Sequence, residues 1–324
     1  MNRAQSIIGV GAGLLSGMLW GLNNTFFSLG YTEFTSLSVV LLLPLWCAAI
    51  NDGCAALFLL ATHVWRGTLR AIMVPGILSR GKVILLAAVL GGPVGQLAYY
   101  YGITLSGASY ALAVTATYPI IGCILSWLFL RQRITVFMWV GIVFSVCGTI
   151  TLGWQGNADL TDTFVYGFVA SLVAAFCWGS EIVLAVYAME KLEPDVAITL
   201  RECISGGIFC AGVLFLGGSN AWDIAAKLPS AGLGWMGLAG VAAAGSYFLY
   251  YYANKTVGCA RGTATNSTFM LWGIIFNSLL GTTLSFGGMD YLGCGMILLG
   301  VLLVTIPWQW RRGRLLIIGE GNDG

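Results

Sequence analysis

The sequence predicts an all-helical membrane protein with ten transmembrane helices, and three observations support this fold class. First, 58% of the 324 residues are hydrophobic and only 9% are charged, which lies outside the range of soluble domains. Second, the chain contains ten apolar runs, each near the ~20 residues that cross a bilayer as one helix. Third, the ~10-residue alternating segments of a transmembrane barrel are absent from the sequence. The ten runs are residues 7–30, 36–62, 82–105, 108–130, 134–154, 163–189, 196–218, 231–254, 259–285 and 289–309.

The connections between these runs are short, with the exception of residues 63–81. That connection mixes Arg66, Arg70 and Arg80 with apolar residues, which predicts an amphipathic segment lying on the membrane surface. If the N-terminus is cytoplasmic, every basic residue except Lys227 and Arg201 falls on the cytoplasmic side or in the tail, as the positive-inside rule requires. We therefore expect both termini to be cytoplasmic.

Several classes of function receive no support from the composition. The nine cysteines fall mostly within apolar runs without metal-ligand spacing, and the single histidine, His63, stands alone. We therefore expect no metal and no cofactor. The net charge of +2 gives no support for a nucleic-acid partner. An HExxH sequence, a paired catalytic aspartate motif and a nucleophile with a plausible base are all missing, so we do not expect an enzyme.

The most unusual residue of the apolar runs is Glu181, the single charge within residues 164–189. A charged side chain at mid-membrane costs roughly 2.5–3.5 kcal/mol on insertion scales, so an acid there is a functional hypothesis by default. Trp178 lies three positions earlier, on the same helical face. Gly179 and Ser180 between them would let another backbone approach closely. The sequence therefore predicts a place for a small cation inside the membrane, beside one acid.

An internal repeat divides the chain into two halves. Trp20-Gly21 recurs 158 positions later as Trp178-Gly179, and Tyr99-Tyr100-Tyr101 recurs 151 positions later as Tyr250-Tyr251-Tyr252. Helices one and six are separated by five crossings, an odd number, so the halves must insert with opposite orientations. We predict two inverted five-helix repeats, residues 1–155 and 156–310, followed by a cytoplasmic tail, residues 311–324. Repeats of this kind are typical of transporters whose site lies near the midplane, between the repeats.

Seven of the ten predicted helices contain short motifs that are found together in a known protein family. They are Ser16-Gly17-Met18-Leu19-Trp20-Gly21-Leu22, Gly92-Pro93-Val94-Gly95, Tyr118-Pro119, Trp178-Gly179-Ser180-Glu181, Ala188-Met189-Glu190, Arg201, Ser246-Tyr247 with Tyr250-Tyr251, and Asn266 with Trp272. In layout and motifs the chain resembles the drug/metabolite transporter superfamily in its ten-helix EamA form. Its short sequence motifs resemble those of the bacterial LicB-type choline transporters.

This resemblance implies proton-coupled uptake of choline or a related quaternary ammonium compound by alternating access, across the inner membrane of a bacterium. It also implies an aromatic-lined pocket. The chain departs from the choline-transporter pattern at Tyr99 and Tyr100, where less aromatic residues are expected, and at Phe269, which replaces a tyrosine. These changes would alter the size and polarity of the pocket.

Ring faces are the chemically appropriate partners for such a ligand. A quaternary ammonium has no N–H to donate, so it is held by the faces of Trp and Tyr, at roughly 0.5–2 kcal/mol per ring. The candidate substrate-binding residues are Trp20, Tyr118, Trp178, Glu181, Tyr247 and Tyr250, followed by Asn24, Gln96, Tyr100, Tyr251, Asn266 and Trp272. Two plainer interpretations stay open. The helix-eight tyrosines share one face and could simply pack against a neighbour, and Tyr118-Pro119 could be only a helix kink.

The other intramembrane acids are Asp52 and Glu202, and Arg201 lies next to the latter. We expect Arg201 to pair with one of these two acids, in a structural or gating role. Glu181 has two possible roles: it balances the charge of the ligand, or it carries the coupling proton. A proton and a cation that compete for one carboxylate produce antiport, so uptake by symport requires the proton to load on a different acid. Asp52, Glu181, Arg201 and Glu202 are therefore the candidates for proton coupling or gating.

Two other functions are weighed against a cation importer. Another member of the superfamily would carry an amino acid, another amine or a sugar, and would bind it by hydrogen bonds from residues such as Asn24, Gln96, Asn266 and Asn277. A membrane-embedded enzyme lacks its motifs, as described above. The expected partners are a small choline-like cation, protons and membrane lipids. Homodimer formation is left open by the sequence.

Overall fold

The computed structural model describes residues 3–34, 43–106, 111, 114–153, 162–218, 221–280 and 288–305. All regular secondary structure within these ranges is helical, which confirms the predicted all-helical class. The helices are α1 (Arg3–Phe34), α2 (Leu43–Trp65), α3 (Leu69–Val89), α4 (Gly95–Ser106), α5 (Tyr118–Phe129), α6 (Val136–Gly153), α7 (Asp162–Ala188), α8 (Pro194–Gly217), α9 (Ala221–Lys227), α10 (Ser230–Val257), α11 (Cys259–Asn266), α12 (Phe269–Leu279) and α13 (Gly288–Thr305).

Six of the described helical segments are long and apolar enough to cross a membrane. They are α1, α2, the continuous segment 77–106, α7, α8 and α10. Three shorter apolar helices accompany them, within α5, α6 and α13. The protein is therefore an integral membrane protein. The count of ten crossings and the orientation of the termini stay predictions, and the predicted tail 311–324 lies outside the described residues.

Three of the predicted apolar runs contain breaks within the described residues. A π-helical turn, Leu90–Val94, joins α3 to α4 and contains Pro93, which cannot donate a backbone hydrogen bond. The run 259–285 is divided between α11 and α12 at Ser267 and Thr268. At the start of α5, Pro119 occupies the first helical turn. A turn at Ala116 and Thr117 separates α5 from the helical residues before it, so Tyr118-Pro119 lies directly after a break in the run 108–130, which agrees with the plainer interpretation.

The connection 63–81 is helical over most of its length. Helix α2 continues to Trp65, α3 begins at Leu69, and the backbone leaves the helical region at Arg80, with φ −138°. The Arg80 guanidinium lies 3.5 Å from Glu190 and 4.1 Å from the ring centroid of Tyr187. The bend at Arg80 is thus held by an ion pair and a cation–π contact. The placement of 69–79 on the membrane surface stays a prediction.

Glycines allow α6 and α13 to approach backbone to backbone. A Cβ at Gly141 would lie 2.6 Å from the carbonyl oxygen of Gly300, and a Cβ at Gly148 would lie 2.6 Å from that of Gly293. Real Cβ atoms are not found at such distances from a carbonyl oxygen. The lower-numbered glycine of α6 meets the higher-numbered glycine of α13, so the two helices are antiparallel. Small residues are the usual means of close helix association in lipid.

Close backbone contacts at glycines also position α1 and α7. A Cβ at Gly21 of α1 would lie 2.8 Å from the carbonyl oxygen of Phe269, at the start of α12. A Cβ at Gly179 of α7 would lie 2.9 Å from the carbonyl oxygen of Tyr118, at the start of α5. Helices α1 and α7 therefore each lie directly against the N-terminal turn of a short helix. Trp20 and Trp178 directly precede these two glycines, so both tryptophans lie near the contact points.

The substitution Gly300→Ala is expected to lower the melting temperature of the detergent-purified protein. The added methyl would overlap Ser145 and the carbonyl oxygen of Gly141, and overpacking of this kind costs about 1–3 kcal/mol. Gly295→Ala in the same helix is the matched control, because a Cβ there meets nothing within 4 Å. Equal melting temperatures for the two variants would contradict the close contact of α6 with α13.

Candidate functional site

The polar centre of the molecule is a cluster of one arginine and three acids. The Arg201 Nε of α8 donates to Glu181 Oε1 of α7 at 2.7 Å, and Arg201 Nη1 donates to the neighbouring Glu202 Oε1 at 2.6 Å. Arg201 Nη1 also lies 3.8 Å from Asp52 Oδ2 of α2. The side chains of Arg201, Asp52 and Glu202 are at most 2% exposed, whereas that of Glu181 is 11% exposed. Three helices thus meet at buried charges.

This cluster has a formal charge of −2 if all three acids are ionised. Burying uncompensated charge is strongly unfavourable, because each ion loses its hydration. Among the described residues, Arg201 is the only basic side chain that pairs with these acids. Glu202 Oε2 is buried without a hydrogen-bond partner. The arrangement therefore favours the uptake of protons or of a further cation.

Asp52 is held in place by a second line of polar contacts. Ser205 Oγ donates to Asp52 Oδ2 at 2.6 Å, and Asn51 Nδ2 lies 3.1 Å from Asp52 Oδ1. Asn23 Nδ2 donates to Asn51 Oδ1 at 2.9 Å and to the carbonyl oxygen of Ala239 at 2.8 Å. Helices α1, α2, α8 and α10 are thereby connected, so Asp52 has little freedom to move.

Glu181 is held by Tyr251 and by the π-helical turn, as well as by Arg201. Tyr251 donates its hydroxyl to Glu181 Oε1 at 3.1 Å. Gly91 in the π-helical turn lies directly against the carboxylate, since a Cβ at Gly91 would overlap it. The Trp178 indole Nε1 donates to the carbonyl oxygen of Gly91 at 3.0 Å. One glycine therefore positions both the acid and the tryptophan.

One aromatic wall adjoins the Arg201 guanidinium. The rings of Trp20 and Tyr247 lie 5.0 Å apart between centroids, and the Arg201 Cζ lies 4.9 Å from the centroid of Tyr247. Both residues are half-buried. The guanidinium is the cation in contact with this wall.

A second aromatic wall surrounds Trp178. Its ring lies 5.3 Å from Tyr99 and 6.4 Å from Tyr118, edge-on to the latter. The phenol of Tyr250 lies near that of Tyr118. All four rings are half-buried. Tyr99, which the sequence analysis named only as a departure from the choline-transporter pattern, contacts Trp178 directly.

A group of neutral polar side chains lies next to the second wall. Ser16 Oγ donates to Asn266 Oδ1 at 2.9 Å, and Ser246 Oγ donates to the carbonyl oxygen of Ser16 at 2.9 Å. Asn266 Nδ2 lies 3.4 Å from the hydroxyl of Tyr118. These residues come from α1, α5, α10 and α11. Ser16 and Ser246 were part of recognised motifs but were not among the candidate site residues.

The remaining candidates make contacts outside the charged cluster. Gln96 Nε2 donates to the Tyr100 hydroxyl at 3.2 Å, and the Tyr100 ring stacks on Phe27, with centroids 6.2 Å apart. Trp272 stacks on Phe276, with centroids 6.0 Å apart. The side chain of Asn24 is exposed.

Two expectations about the acids can be compared with these contacts. The predicted pairing of Arg201 with an acid of the Asp52 and Glu202 pair is confirmed by the 2.6 Å contact with Glu202. The sequence predicted one acid, Glu181, beside the cation and indicated no partner for it; in the structure Arg201 and Tyr251 both donate to it. The sequence separation of 20 residues between Glu181 and Arg201 concealed this pair. Gly91 was also missed, although the Gly91-Gly92-Pro93 sequence signals a helix break.

Comparison with known proteins gives matches over most of the chain. The sequence matches the EamA-like transporter family over residues 7–154 and again over residues 165–306. Protein LicB of Haemophilus influenzae is 26% identical over 271 residues, which cover 83% of this chain and 87% of LicB. A WAT1-related protein of Arabidopsis thaliana is 24% identical over 249 residues, covering 69% of this chain and 64% of that protein.

A crystal structure of another protein superposes on 100% of both chains with a TM-score of 0.69 at 15% identity, which shows a shared fold. The double match of the family confirms the resemblance found in the sequence motifs. The chain belongs to the EamA-like transporter family, within the drug/metabolite transporter superfamily.

Proposed function

We propose that this protein is a secondary active transporter that takes up choline or a related quaternary ammonium compound, coupled to protons, by alternating access. The observation that carries the proposal is the position of two half-buried aromatic walls next to the buried Glu181. One wall is formed by Trp20 and Tyr247, and the other by Tyr99, Tyr118 and Trp178. Ring faces beside an acid match a cation that cannot donate hydrogen bonds.

The rings are sufficient in number to account for useful affinity. Four rings at the upper value of about 2 kcal/mol each give roughly 8 kcal/mol of gross attraction. Micromolar binding corresponds to about 8.2 kcal/mol. Desolvation of the ligand and loss of its freedom oppose this sum. Glu181 would supply the remaining attraction through its charge.

Alternating access by two inverted halves is part of the proposal, and recurring local geometry supports it. Thr117 and Thr268, which are 151 positions apart, each precede a short helix and each donate a hydroxyl to the carbonyl three residues earlier, at 2.7 and 2.9 Å. Gly21 and Gly179, which are 158 positions apart, each touch the first turn of those helices. The same two offsets relate the aromatic motifs of the sequence. Equivalent breaks in equivalent helices are typical of transporters with a site at the repeat interface.

We assign proton coupling to Asp52 and Glu202. Asp52 and Glu202 are fully buried and both face Arg201 Nη1, whereas Glu181 is bound by Arg201 Nε, and Glu202 Oε2 has no hydrogen-bond partner. A proton bound there would not compete with a cation at Glu181 for one carboxylate. This separation is what symport of a cation and a proton requires. We place the protein in a bacterial inner membrane with both termini in the cytoplasm.

A second candidate function is transport of a neutral or zwitterionic metabolite. The polar group of Ser16, Ser246 and Asn266 beside Tyr118 favours it, because hydrogen bonds recognise amino acids and sugars. These side chains are largely occupied with one another, whereas the aromatic faces are partly accessible. The cation proposal therefore has the stronger support.

A neutral isostere of choline distinguishes charge recognition from shape recognition. We expect choline to raise the melting temperature of the purified protein, and 3,3-dimethylbutan-1-ol to have little effect, because it carries carbon in place of the ammonium nitrogen. Betaine, arginine and glucose complete the panel. Stabilisation by the isostere equal to that by choline, or by glucose alone, would contradict the proposal.

Replacing Trp20 by Leu is expected to weaken choline binding by about 2- to 30-fold, the loss of one ring face at 0.5–2 kcal/mol. Trp20→Phe should retain most of the affinity, since it keeps a ring. Binding of radiolabelled choline to purified protein measures the effect. Trp65→Leu is the control, because Trp65 is 86% exposed at the end of α2. The aromatic wall would be refuted by equal affinities for Trp20→Leu and the wild type.

The proposed topology predicts the behaviour of reporter fusions. A fluorescent protein fused after residue 324 should fold and fluoresce, since the C-terminus is expected in the cytoplasm. A phosphatase inserted within residues 155–160 should be active, because five crossings place that connection outside. If both reporters give the opposite result, the proposed orientation is wrong. If they place the C-terminus and residues 155–160 on the same side of the membrane, the inverted repeat is wrong.

A further inference from the structure

In the structure, Arg201 binds Glu181 at the place where the proposed ligand would bind. Arg201 Nε contacts its carboxylate at 2.7 Å, and the same guanidinium lies 4.9 Å from the Tyr247 ring centroid. A carboxylate and a ring face are also the two elements that a quaternary ammonium needs. Arg201 and the ligand would therefore occupy overlapping positions. The inference drawn from this overlap rests on the function proposed above.

Arg201 has other partners available. Its Nη1 already contacts Glu202 Oε1 at 2.6 Å, and Asp52 Oδ2 lies 3.8 Å away. The guanidinium carries five N–H donors in a planar fork, so it can shift between carboxylates without losing all its contacts. The titratable groups that face it are Asp52, Glu181, Glu202, Tyr247 and Tyr251.

We infer that Arg201 and the substrate cation alternate on Glu181. With a cation at Glu181, Arg201 is bound by Glu202 and Asp52 alone. After the cation is released, Arg201 returns to Glu181 and neutralises it. The carrier can then change its orientation without a substrate, because Glu181 is not left without a cationic partner. Arg201 is thus a positioning residue for the return step.

This role separates two kinds of transport that are normally lost together. Net uptake requires the carrier to return without substrate, so it requires Arg201. Exchange of labelled for unlabelled substrate does not, because a second substrate cation neutralises Glu181 on the way back. A purely structural role for Arg201 would affect both processes alike.

The test uses full-length protein in liposomes with radiolabelled choline and no pH gradient. Net uptake is measured into choline-free liposomes, and exchange into liposomes preloaded with unlabelled choline. Arg201→Gln should lower net uptake at least about tenfold, keep exchange within about twofold, and bind choline more tightly, since its competitor is gone. Arg201→Lys, which keeps the charge, should restore part of the net uptake.

The double variant Arg201→Gln with Glu202→Gln removes one charge of each sign and should show the same division between net uptake and exchange. It provides the test if the single variant does not fold. The inference is wrong if the variant that binds choline, single or double, loses both exchange and net uptake, or keeps both. Wild-type protein that neither binds nor exchanges choline would contradict the proposed function instead, because Arg201 would then have no cation to alternate with.

Discussion

Charge compensation at the centre of the bundle is the constraint on which the rest of the structure depends. Ionised carboxylates are stable inside a membrane protein only when positive or hydrogen-donating groups surround them. Arg201 provides the positive charge for acids from α2, α7 and α8, and Tyr251 and Ser205 provide hydroxyl donors. These helices must therefore converge at one depth. The aromatic walls follow from that convergence, because Trp20, Trp178 and Tyr247 belong to helices held at the same point.

Close backbone contact is the second requirement, and small residues meet it. Gly91 allows the π-helical turn to lie against the carboxylate of Glu181, and a larger residue would displace the acid. Gly21 and Gly179 bring α1 and α7 onto the first turns of α12 and α5. Such contacts replace the hydrophobic effect, which does not drive helix association in lipid. They also leave smooth surfaces along which helices can slide, as an alternating-access cycle requires.

Broken helices link this packing to function. The π-helical turn at Leu90–Val94 frees the carbonyl of Gly91 for the Trp178 indole. The breaks that precede α5 and α12 place Tyr118 and Asn266 at the edge of the second aromatic wall. Irregular backbone at membrane depth is tolerated where protein buries it or where it lines a cavity. The irregular segments of this protein thus coincide with its candidate site.

The sequence by itself determined the helical membrane class and the family, and it identified most residues of the candidate site. Long apolar runs have one stable solution in a bilayer, because helices satisfy their backbone hydrogen bonds internally, so composition alone established the helical membrane class. An acid within such a run is rare, so Glu181, Asp52 and Glu202 were identifiable without coordinates. The family followed from short motifs around Trp20 and Trp178, since these recur at fixed positions in both halves of the chain.

Tertiary structure alone decided which of these residues meet. Arg201 binds Glu181 as well as its neighbour Glu202, although 20 positions separate Glu181 from Arg201. Tyr99, and not Tyr100, reaches Trp178, because the direction of each ring depends on the phase of α4 after the π-helical turn. The contact of Gly91 with Glu181 joins α7 to a helix break far along the chain. Such pairings depend on helix rotation and depth, which are set by packing among several helices and leave no periodic signal within any one of them.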